Sequence, residues 1–276
     1  MSVPRASIII CTTRPESYQA LRQSLSQQTE QAYELITIRE RGPLAALRNQ
    51  GLSRARASVV CVIDDDTVCP PTWLRGILDV FEQRPSVVGV SGPALIPAHW
   101  RRNRHLFRYP WVTRLYTACF LDRNRRQRPG TVCRSGAVTL VSADVSCTYE
   151  GPVDYLEACN MAFRTEALRA VGGFDEGFEK LGEWCEPDVA YRLREHYLGS
   201  QLWFTPRAAL FHQPSQQGVY RQRFQTRTRM ANYLRFAKRW VRPCWQHTLY
   251  KLFLRVYFAH LEVIGTLWAI SNKLQT

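Results

Sequence analysis

Three adjacent carboxylates, Asp64, Asp65 and Asp66, directly follow an apolar run at 59–63 that has the length of a buried strand. Neighbouring carboxylates repel one another, so at the end of a buried strand they cost stability unless a cation neutralises them. Alternate residues of an extended chain point to similar sides, and Asp64 and Asp66 can therefore share one divalent ion through their oxygens. Such an ion could neutralise a diphosphate leaving group. The alternative interpretation of the triplet is a solvated acidic turn.

Arg48 is a second candidate, in the segment 47–51 (LRNQG) on the helix expected before that strand. A guanidinium group can bind the phosphates of a nucleotide or its base. Taken alone, the segment is better explained by an ordinary arginine on a helix surface.

Two further acids, Glu186 and Asp188, lie in the segment 183–188 (EWCEPD). Pro187 and Asp188 suit the first turn of a helix, where a carboxylate meets the positive end of the helix dipole. Asp188 can thus be a first-turn acid without a chemical role. Glu186 is expected just outside the helix, beside Trp184, where it is better placed to act as a general base.

His212 follows a predicted strand within the segment 211–214 (FHQP). A single histidine among apolar residues is more often structural than a metal ligand, so its interpretation depends on whether it meets Asp66 in space. Imidazole together with carboxylate and phosphate oxygens is an acceptable ligand set for Mn²⁺ and a tolerable one for Mg²⁺.

The composition fits a folded chain with one sizeable core. Of 276 residues, 45% are hydrophobic and 12% are aromatic, which is typical of globular proteins and excludes extensive disorder. Lys and Arg outnumber Asp and Glu by 37 to 23, which gives a net charge of +14. Proteins this basic bind nucleic acid, anionic membrane surfaces or phosphorylated substrates.

Nine cysteines are scattered along the chain without a C-x-x-C pair. Several lie in apolar runs, as Cys61 does, and an odd, dispersed set indicates reduced, buried thiols rather than disulfides or a zinc site. The N-terminal residues lead straight into a strand-like segment without a charged and apolar leader. We therefore expect a cytoplasmic location, at the inner face of the membrane if the protein contacts one.

Strand and helix patterns alternate along the first part of the chain, which predicts an α/β fold with a parallel sheet covered by helices on both faces. The predicted strands are 6–12, 34–38, 58–63, 87–95 and 202–205. The predicted helices are 17–28, 44–57, 72–82, 160–171 and 187–195. We predict a catalytic domain at 1–215, with a basic and aromatic insert at about 97–150, and a basic amphipathic helical extension at 216–276.

In this order the segments resemble those of the family 2 glycosyltransferases, whose fold is called GT-A. The matching segments are 11–16 (CTTRPE), 47–51 (LRNQG), 62–66 (VIDDD), 158–164 (ACNMAFR), 172–176 (GGFDE), 186–188 (EPD) with Arg192, and 206–212 (PRAALFH). Each segment is a weak indication by itself, but seven in the family's order are a specific one. The resemblance covers residues 6–214, interrupted by the basic insert.

The resemblance implies a GT-A-like mixed, mainly parallel sheet and transfer of a sugar, with inversion, from a nucleotide-diphosphate-sugar donor to an acceptor hydroxyl. It implies a divalent cation, Mn²⁺ or Mg²⁺, at Asp64, Asp66 and His212, and a base at Glu186 or Asp188. The residues that it places against the donor are Thr12, Arg14, Pro15, Glu16, Glu40, Arg48, Asn49, Asp64 and Asp65. Cell-surface polysaccharide or glycolipid synthesis is the expected setting.

One departure from the family's pattern concerns the donor. The family's second strand usually ends in two aspartates and a glycine that help to hold the base and ribose, whereas this chain has IRERG at 38–42. Glu40 can replace one acid, but Arg39 reverses the charge of the other. The resemblance therefore leaves the identity of the donor open.

A second departure concerns the base. Pro187 lies inside the acidic segment, which leaves Glu186 and Asp188 as rivals for the role. The register with Arg192, which matches the arginine that follows the family's acidic segment, favours Glu186.

Two basic regions lie outside these segments. The segment 101–128 interleaves nine arginines with aromatic residues, a pattern also typical of surfaces that bind single-stranded nucleic acid. In a glycosyltransferase it indicates an acceptor-binding or membrane-facing insert, and a solvated loop is an equal alternative. From Leu249 onward, apolar residues follow a helical period with Lys251 and Arg255 among them. This predicts C-terminal helices that contact a membrane peripherally, pack on the catalytic part or form a dimer.

Other classes of function share parts of the pattern. A nucleotidyltransferase needs a glycine-rich phosphate loop after the first strand, and 11–16 contains no glycine. A nucleic-acid-binding protein without catalysis fits the net charge and would show steeply salt-dependent binding, but nucleic acid is not the expected partner. A catalytically inactive relative is disfavoured by the intact acidic triplet, Glu186 and His212. The sequence does not distinguish a glycan acceptor from a lipid-linked one.

Overall fold

A computed structural model describes residues 3–96, 109–125, 128–139, 147–213 and 226–273 of the chain, and a seven-stranded sheet lies at its centre. In sheet order the strands are β2 (Tyr33–Ile38), β1 (Ala6–Cys11), β3 (Val59–Asp64), β8 (Asn160–Arg164), β5 (Val87–Ser91), β9 (Gln201–Phe204) and β7 (Gly151–Val153). β8 and β7 run antiparallel to their neighbours, and the other five strands run in one direction. The predicted mixed, mainly parallel sheet is confirmed.

A smaller sheet extends beyond the carboxyl ends of β3 and β5. It consists of β4 (Thr67–Val68), β10 (Leu210–His212) and β6 (Ala94–Leu95) in that order, with β10 antiparallel to β4 and parallel to β6. β4 and β6 each begin within three residues of the main-sheet strand that they follow. The smaller sheet thus gathers the chain at the edge where ligands bind in open α/β sheets.

Helices cover both faces of the main sheet, as predicted. Those of the described ranges are α1 (Pro15–Ser26), α2 (Leu44–Arg54), α3 (Trp73–Gln83), α4 (Pro110–Phe120), α5 (Thr165–Ala170), α6 (Cys185–His196), α7 (Thr226–Trp240) and α8 (Trp245–Lys273). In β1, Ile8 and Ile10 belong to the hydrophobic cluster that contains Leu21 of α1, and Ile9 belongs to the cluster that contains Leu52 of α2. Because alternate residues face opposite sides of a strand, both faces are buried, and the strands read as continuous apolar runs.

The segment 160–171, predicted as one helix, is the strand β8 followed by the short helix α5, so the prediction is wrong for its first part. β8 lies between β3 and β5 and is buried on both faces, with Met161 and Phe163 in one hydrophobic cluster and Ala162 in the other. A short apolar run that is buried on all sides carries no periodicity that separates a helix from a strand.

The segment 87–95, predicted as one strand, divides between the two sheets. Gly92 and Pro93 separate β5 from β6, and proline has no N–H group to donate to a strand ladder. The backbone at Gly92 lies close to that of Ala208, since a Cβ at Gly92 would be 2.3 Å from the Ala208 carbonyl oxygen. The turn therefore requires glycine, and it brings β6 beside β10.

The described part of the C-terminal region is helical, as predicted. α7 contacts α6, with Phe236 stacked on Trp184 at a centroid distance of 5.4 Å. α8 packs on α7 and α4, and its Tyr250 contacts Tyr233 and Phe120 in a third hydrophobic cluster. None of the helices within the described ranges has the length and apolar character needed to cross a bilayer.

Two predicted features lie largely outside the described residues. The domain boundary between residues 215 and 216 falls in 214–225 and stays a prediction. Of the insert at 97–150, the structure describes 109–125, 128–139 and 147–150, which include α4 but not the arginines at 101–108.

The nine cysteines are free thiols, as predicted from their number and spacing. Cys61 in β3 and Cys69 after β4 are buried in the core on one face of the sheet. Burial raises the pKa of the Cys61 thiol to about 12, so this group is inert at neutral pH.

Candidate active site

The structure brings together the three residues predicted as metal ligands. Asp64 ends β3, Asp66 follows it in the turn before β4, and His212 ends β10. Each residue offers one ligand atom, and these atoms all lie within 4.8 Å of one another. The three side chains are partly buried, so the group forms a recessed cluster at the carboxyl edge of the sheet.

Backbone pairing in the smaller sheet holds these three residues close together. His212 lies opposite Thr67 in the antiparallel pair of β10 and β4, and the next residue, Gln213, donates its backbone N–H to the carbonyl oxygen of Asp66 at 2.8 Å. The hydroxyl of Thr67 donates to the carbonyl oxygen of Asp64, also at 2.8 Å. The turn that carries the carboxylates is thereby held against the strand that carries the imidazole.

Asp65 points away from this cluster and is bound by the loop after β1. Its buried carboxylate accepts hydrogen bonds from the Thr12 hydroxyl and from Arg14, whose Nε lies 3.1 Å away. Arg14 also reaches Asp66, with 3.2 Å between Nη1 and Oδ2. Thr12 and Arg14, predicted as donor contacts, thus brace the acidic triplet and offset part of its charge.

The electrostatics of the cluster favour a bound cation. Burial and the neighbouring charge of Asp66 raise the pKa of Asp64. For His212, burial of the ring opposes protonation, but the hydrogen bond to Asp66 and the charges of Asp64 and Asp66 outweigh it and raise the pKa. Without a cation, the cluster therefore retains protons to compensate its negative charge. Two carboxylates and an imidazole fit Mn²⁺, and less ideally Mg²⁺.

Glu186 lies in the first turn of α6, which begins at Cys185, so its predicted position just outside the helix is wrong. The residue before the helix, Trp184, has a left-handed backbone with φ of 77°. The carboxylate of Glu186 is almost fully buried and accepts a hydrogen bond at 2.8 Å from Nη1 of Arg48. The interpretation of Arg48 as a surface residue is also wrong, because its side chain is only 1% exposed.

Arg48 connects the two acidic groups electrostatically. Burial disfavours its charge, but the carboxylates of Glu186 and Asp64 outweigh burial and raise the pKa of the guanidinium. The guanidinium group of Arg48 also lies over the ring of Phe174, with 5.4 Å between the guanidinium carbon and the ring centroid. Arg48 therefore pairs directly with Glu186 and lies within electrostatic range of Asp64.

Asp188, the rival of Glu186, is fully buried and surrounded by donors. Its carboxylate accepts hydrogen bonds from Nε of Arg192 at 2.8 Å, Nη1 of Arg239 at 2.7 Å and Nε1 of Trp240 at 2.8 Å. Arg192 of α6 occupies one oxygen, and Arg239 and Trp240 of α7 occupy the other, so both oxygens are committed to protein donors. This arrangement favours an anchoring role for Asp188.

The remaining residues predicted to contact the donor are distributed differently. Pro15 and Glu16 are exposed at the start of α1, and Glu40 is exposed after β2. Asn49 binds the turn after α5: its Nδ2 donates to the Phe174 carbonyl at 2.8 Å, and its Oδ1 accepts from the Phe174 N–H at 2.8 Å. The amide of Asn49 therefore holds the GGFDE segment, and the structure does not bring it into the metal-ligand cluster.

Sequence reasoning missed Asn160. This fully buried residue accepts from Nε1 of Trp73 at 3.0 Å and donates to the carbonyls of Gly92 at 3.0 Å and Ala208 at 2.8 Å. It thus ties α3 to the segments that lead into β6 and β10 and helps to position His212. Its place in the NMAFR segment was the available signal, but only a strand assignment would have placed it beside Ile63.

Glu157 was missed as well. It precedes β8 and is partly buried, and its negative charge contributes to the raised pKa of His212. The same charge acts on the neighbouring Cys159 thiol, whose pKa is raised first by burial and then by Glu157 and the aspartates. Glu157 therefore adds to the negative potential of the cluster.

A sequence model described as glycosyl transferase family 2 matches residues 7–146, which carry β1, the acidic triplet and α4. The chain belongs to this family. It is a glycosyltransferase, and the nucleotidyltransferase and nucleic-acid-binding alternatives are not favoured.

A curated relative of this family 2 glycosyltransferase is a glucosyl-dolichyl phosphate glucuronosyltransferase of Haloferax volcanii. The two are 19% identical over 249 residues, which cover 75% of this chain and 69% of the relative. The resemblance thus extends well beyond the segment matched by the family model.

Two solved structures show the same GT-A fold. The mannosyltransferase PcManGT from Pyrobaculum calidifontis, in complex with GDP-Man and Mn²⁺, has a TM-score of 0.54 and 14% identity, covering 98% of this chain and 76% of its own. GalNAc-T7 with UDP, GalNAc and Mn²⁺ has a TM-score of 0.53 and 12% identity, covering 86% of this chain. The present chain spans 48% of that structure, about half of its length. At these identities the likeness concerns the fold.

Proposed function

We propose that this glycosyltransferase transfers a sugar from a nucleotide-diphosphate-sugar donor, held through a divalent cation, to an acceptor hydroxyl. The observation that carries the proposal is the convergence of Asp64, Asp66 and His212 within 4.8 Å at the carboxyl edge of the sheet. Both related structures hold a nucleotide or nucleotide sugar with Mn²⁺, which supports the same class of ligand.

Asp64, Asp66 and His212 would hold the cation, whose chemistry is to neutralise charge that develops on the diphosphate leaving group. Arg14 lies at the rim of the same cluster, between the first strand and the triplet. Its guanidinium is planar and permanently charged, so it can turn from the carboxylates toward a phosphate. Thr12 and Asp65 keep the loop that carries Arg14 in place.

We assign the role of general base to Glu186. Its carboxylate takes the proton of the acceptor hydroxyl as that oxygen bonds to the anomeric carbon. The bond from this carbon to the diphosphate breaks in the same displacement, so the configuration inverts. Arg48 orients the carboxylate from the buried side. Asp188 is the poorer candidate because three protein donors already bind it.

For the acceptor we propose a lipid-linked glycan in cell-surface polysaccharide or glycolipid synthesis. The supporting observation is the name of the relative, which states a sugar carried on dolichyl phosphate. The net charge of +14 suits a substrate presented with phosphates at an anionic surface.

Thermal unfolding with a panel of nucleoside diphosphates, each with and without Mn²⁺, tests the donor and cation together. We expect one nucleotide to stabilise the chain when Mn²⁺ is present, by about 2.7 kcal/mol at a hundred times its dissociation constant. Asp66→Asn should lose this stabilisation, whereas Glu166→Gln, a change of an exposed carboxylate on α5, should keep it. Stabilisation that is the same with and without Mn²⁺ would reject the metal role.

A further inference from the structure

α8 carries two apolar stripes on opposite sides. The inner stripe is buried and consists of Tyr250, Leu254, Phe258 and Leu261. The outer stripe is exposed and consists of Trp245 (70% exposed), Leu249 (39%), Leu252 (54%), Val256 (60%) and Val263 (59%). With about 100° of rotation per residue, the centres of the two stripes are about 170° apart around the helix axis.

The inner stripe accounts for the attachment of α8 to the rest of the molecule. Tyr250 contacts Phe120 of α4 at a centroid distance of 5.2 Å and Tyr233 of α7 at 5.5 Å. Phe258 extends this cluster about two turns further along α8, and its ring centroid lies 4.8 Å from the guanidinium carbon of Arg229. A helix attached in this way normally presents polar residues to solvent on its other side, so the fold leaves the outer stripe unexplained.

α4, the neighbouring helix, also exposes large apolar side chains. Trp111 is 65% exposed and Leu115 is 57% exposed, and the two lie one turn apart on the same face of α4. α4 and α8 contact each other through Tyr116 and Phe253, at a centroid distance of 5.4 Å. Two helices in contact with each other therefore both expose tryptophan and aliphatic side chains.

Two cations lie along one edge of the outer stripe. Lys251 and Arg255 join Trp245, Leu249 and Leu252 around a shallow groove of about 710 Å³. From residue 196 to the end of the sequence the sole acid is Glu262, against twelve Lys or Arg, which gives 12 − 1 = +11. Glu262 accepts a hydrogen bond from Thr226. The surface is thus apolar, with the cations Lys251 and Arg255 beside it, and its complement is both apolar and anionic.

A second copy of the chain does not satisfy this requirement. An interface between two copies related by a two-fold axis would bring the same cationic surface against itself. Like charges across an interface cost free energy, and Lys251 and Arg255 lie beside the outer stripe. An anionic bilayer supplies both properties, because its headgroups attract lysine and arginine and its acyl region accepts tryptophan, leucine and valine.

We propose that the outer stripe of α8, together with Trp111 and Leu115 of α4, docks the enzyme on the surface of an anionic bilayer. The apolar side chains enter the boundary between headgroups and acyl chains, Lys251 and Arg255 bind the headgroups, and α8 lies in the plane of the surface. This docking goes beyond the proposed glycosyl transfer. It rests on that proposal only for its purpose, which is to bring the candidate active site to a lipid-linked acceptor.

Flotation of the full chain with vesicles tests the docking surface directly. Vesicles of equal parts phosphatidylcholine and phosphatidylglycerol should carry the protein, and vesicles of phosphatidylcholine alone should carry much less. The double variant Leu252→Glu/Val256→Glu should partition at least about tenfold more weakly, because two apolar side chains no longer enter the bilayer. Leu198→Glu, at a position 91% exposed after α6, is the matched control and should float like the wild type.

Several outcomes would overturn the proposal. One is wild-type protein that stays in solution with anionic vesicles, and another is a double variant that floats as well as the wild type. Analytical ultracentrifugation that finds a dimer, which the double variant dissociates, would assign the stripe to a second copy. Nucleotide-dependent stabilisation with Mn²⁺, measured on the same samples, shows that the variant is folded. If nucleotide and Mn²⁺ do not stabilise the wild type, the proposed donor site is rejected, and the docking result is unaffected.

Discussion

His212 lies among carboxylates that favour its protonated form and outweigh the opposing effect of burial. Its pKa is raised, so the imidazolium persists to a higher pH than in a free histidine. In the metal-free chain, the pair with Asp66 stabilises the fold below the pKa of an unfolded histidine, and this contribution is lost as the pH rises through the raised pKa. A cation requires the neutral ring, so metal binding and this ion pair respond to pH in opposite directions.

We expect the affinity for Mn²⁺ to rise with pH through the neutral range, because the proton on His212 must leave before the ring can bind metal. Isothermal titration calorimetry at a series of pH values, each in two buffers of different ionisation enthalpy, measures both the affinity and the protons released. His212→Gln should bind Mn²⁺ more weakly and with a flatter pH profile. A variant with the wild-type profile would assign the dependence to another group.

Glu186→Gln should lower kcat by about 10²- to 10⁴-fold, the usual contribution of a general base. Glutamine has the same size and can still accept a hydrogen bond from Arg48, so nucleotide binding with Mn²⁺ should match the wild type. Single-turnover transfer and the nucleotide titration separate the two effects. Glu183→Gln, which changes a more exposed acid paired with Arg229, should remain active. Full activity of Glu186→Gln would reject its assignment as the base.

At the level of residues, the sequence supports predictions where the rule is local. Asp64 and Asp66 are two positions apart after a strand, so their common side follows from strand geometry. The partner of Arg48 does not follow in this way, because Glu186 is 138 positions away and the contact requires the complete sheet. Asn160 was missed for the same reason, since its three hydrogen-bond partners belong to distant segments.

At the level of elements, α7 braces the helix that carries Glu186. Arg239 and Trp240, at its end, bind Asp188 on the buried side of α6, and Phe236 stacks on Trp184 at the start of α6. Phe236 belongs to the hydrophobic cluster that contains Leu193 of α6, and Trp184 packs against that cluster and against the one that contains Tyr250. The position of the proposed base therefore depends on a helix outside the predicted catalytic domain.

Trp240→Phe should reduce the free energy of unfolding by about 1–3 kcal/mol, because it removes one donor from the buried carboxylate of Asp188 and keeps most of the ring. Trp245→Phe makes the same change at a 70% exposed position and should leave stability unchanged. Urea unfolding measures both variants. Equal stability of Trp240→Phe and the wild type would mean that the Trp240 N–H contributes nothing to holding α6.

Secondary structure was predictable where periodicity and length agree. The spacing of apolar residues in α3 and the apolar run of β3 correspond to elements found within one or two residues of their predicted ends. The error at β8 has a different origin, since five residues buried on both faces fit either state until their neighbours are known. The division of β5 from β6 had a local signal, the pair Gly92 and Pro93, but the close approach of Gly92 to Ala208 depends on a distant segment.

For the whole molecule, we expect that a chain ending after Gln213 does not unfold cooperatively. It would lose α7 and α8, expose the cluster around Phe120 and Cys133, and deprive Asp188 of two donors. A chain ending after Thr266 retains the inner stripe of α8 and should unfold like the full chain. Thermal unfolding followed by circular dichroism compares them. Cooperative unfolding and nucleotide binding by the shorter chain would instead support the predicted independent domain at 1–215.

The composition indicated a class of binding partner, but it could not show which surface of this chain binds that partner. The net charge of +14 fits several anionic partners, and the apolar periodicity from Leu249 onward merges residues of both stripes of α8. The structure separates them because α4 and α7 bury Tyr250 and Leu254 and leave Leu252 and Val256 outside. Which side of a doubly apolar helix becomes core is decided by its neighbours.

The central position of β8 has a consequence during synthesis. β3 ends at Asp64, but its partner on one side begins at Asn160, 96 positions later. At a translation rate of about 5–20 residues per second, the ribosome needs about 5–20 s to supply that partner. During this time every nascent chain presents the unsatisfied edge of an almost wholly hydrophobic strand, which other chains can join. A chaperone that shields this edge while translation continues should therefore increase the yield of native enzyme.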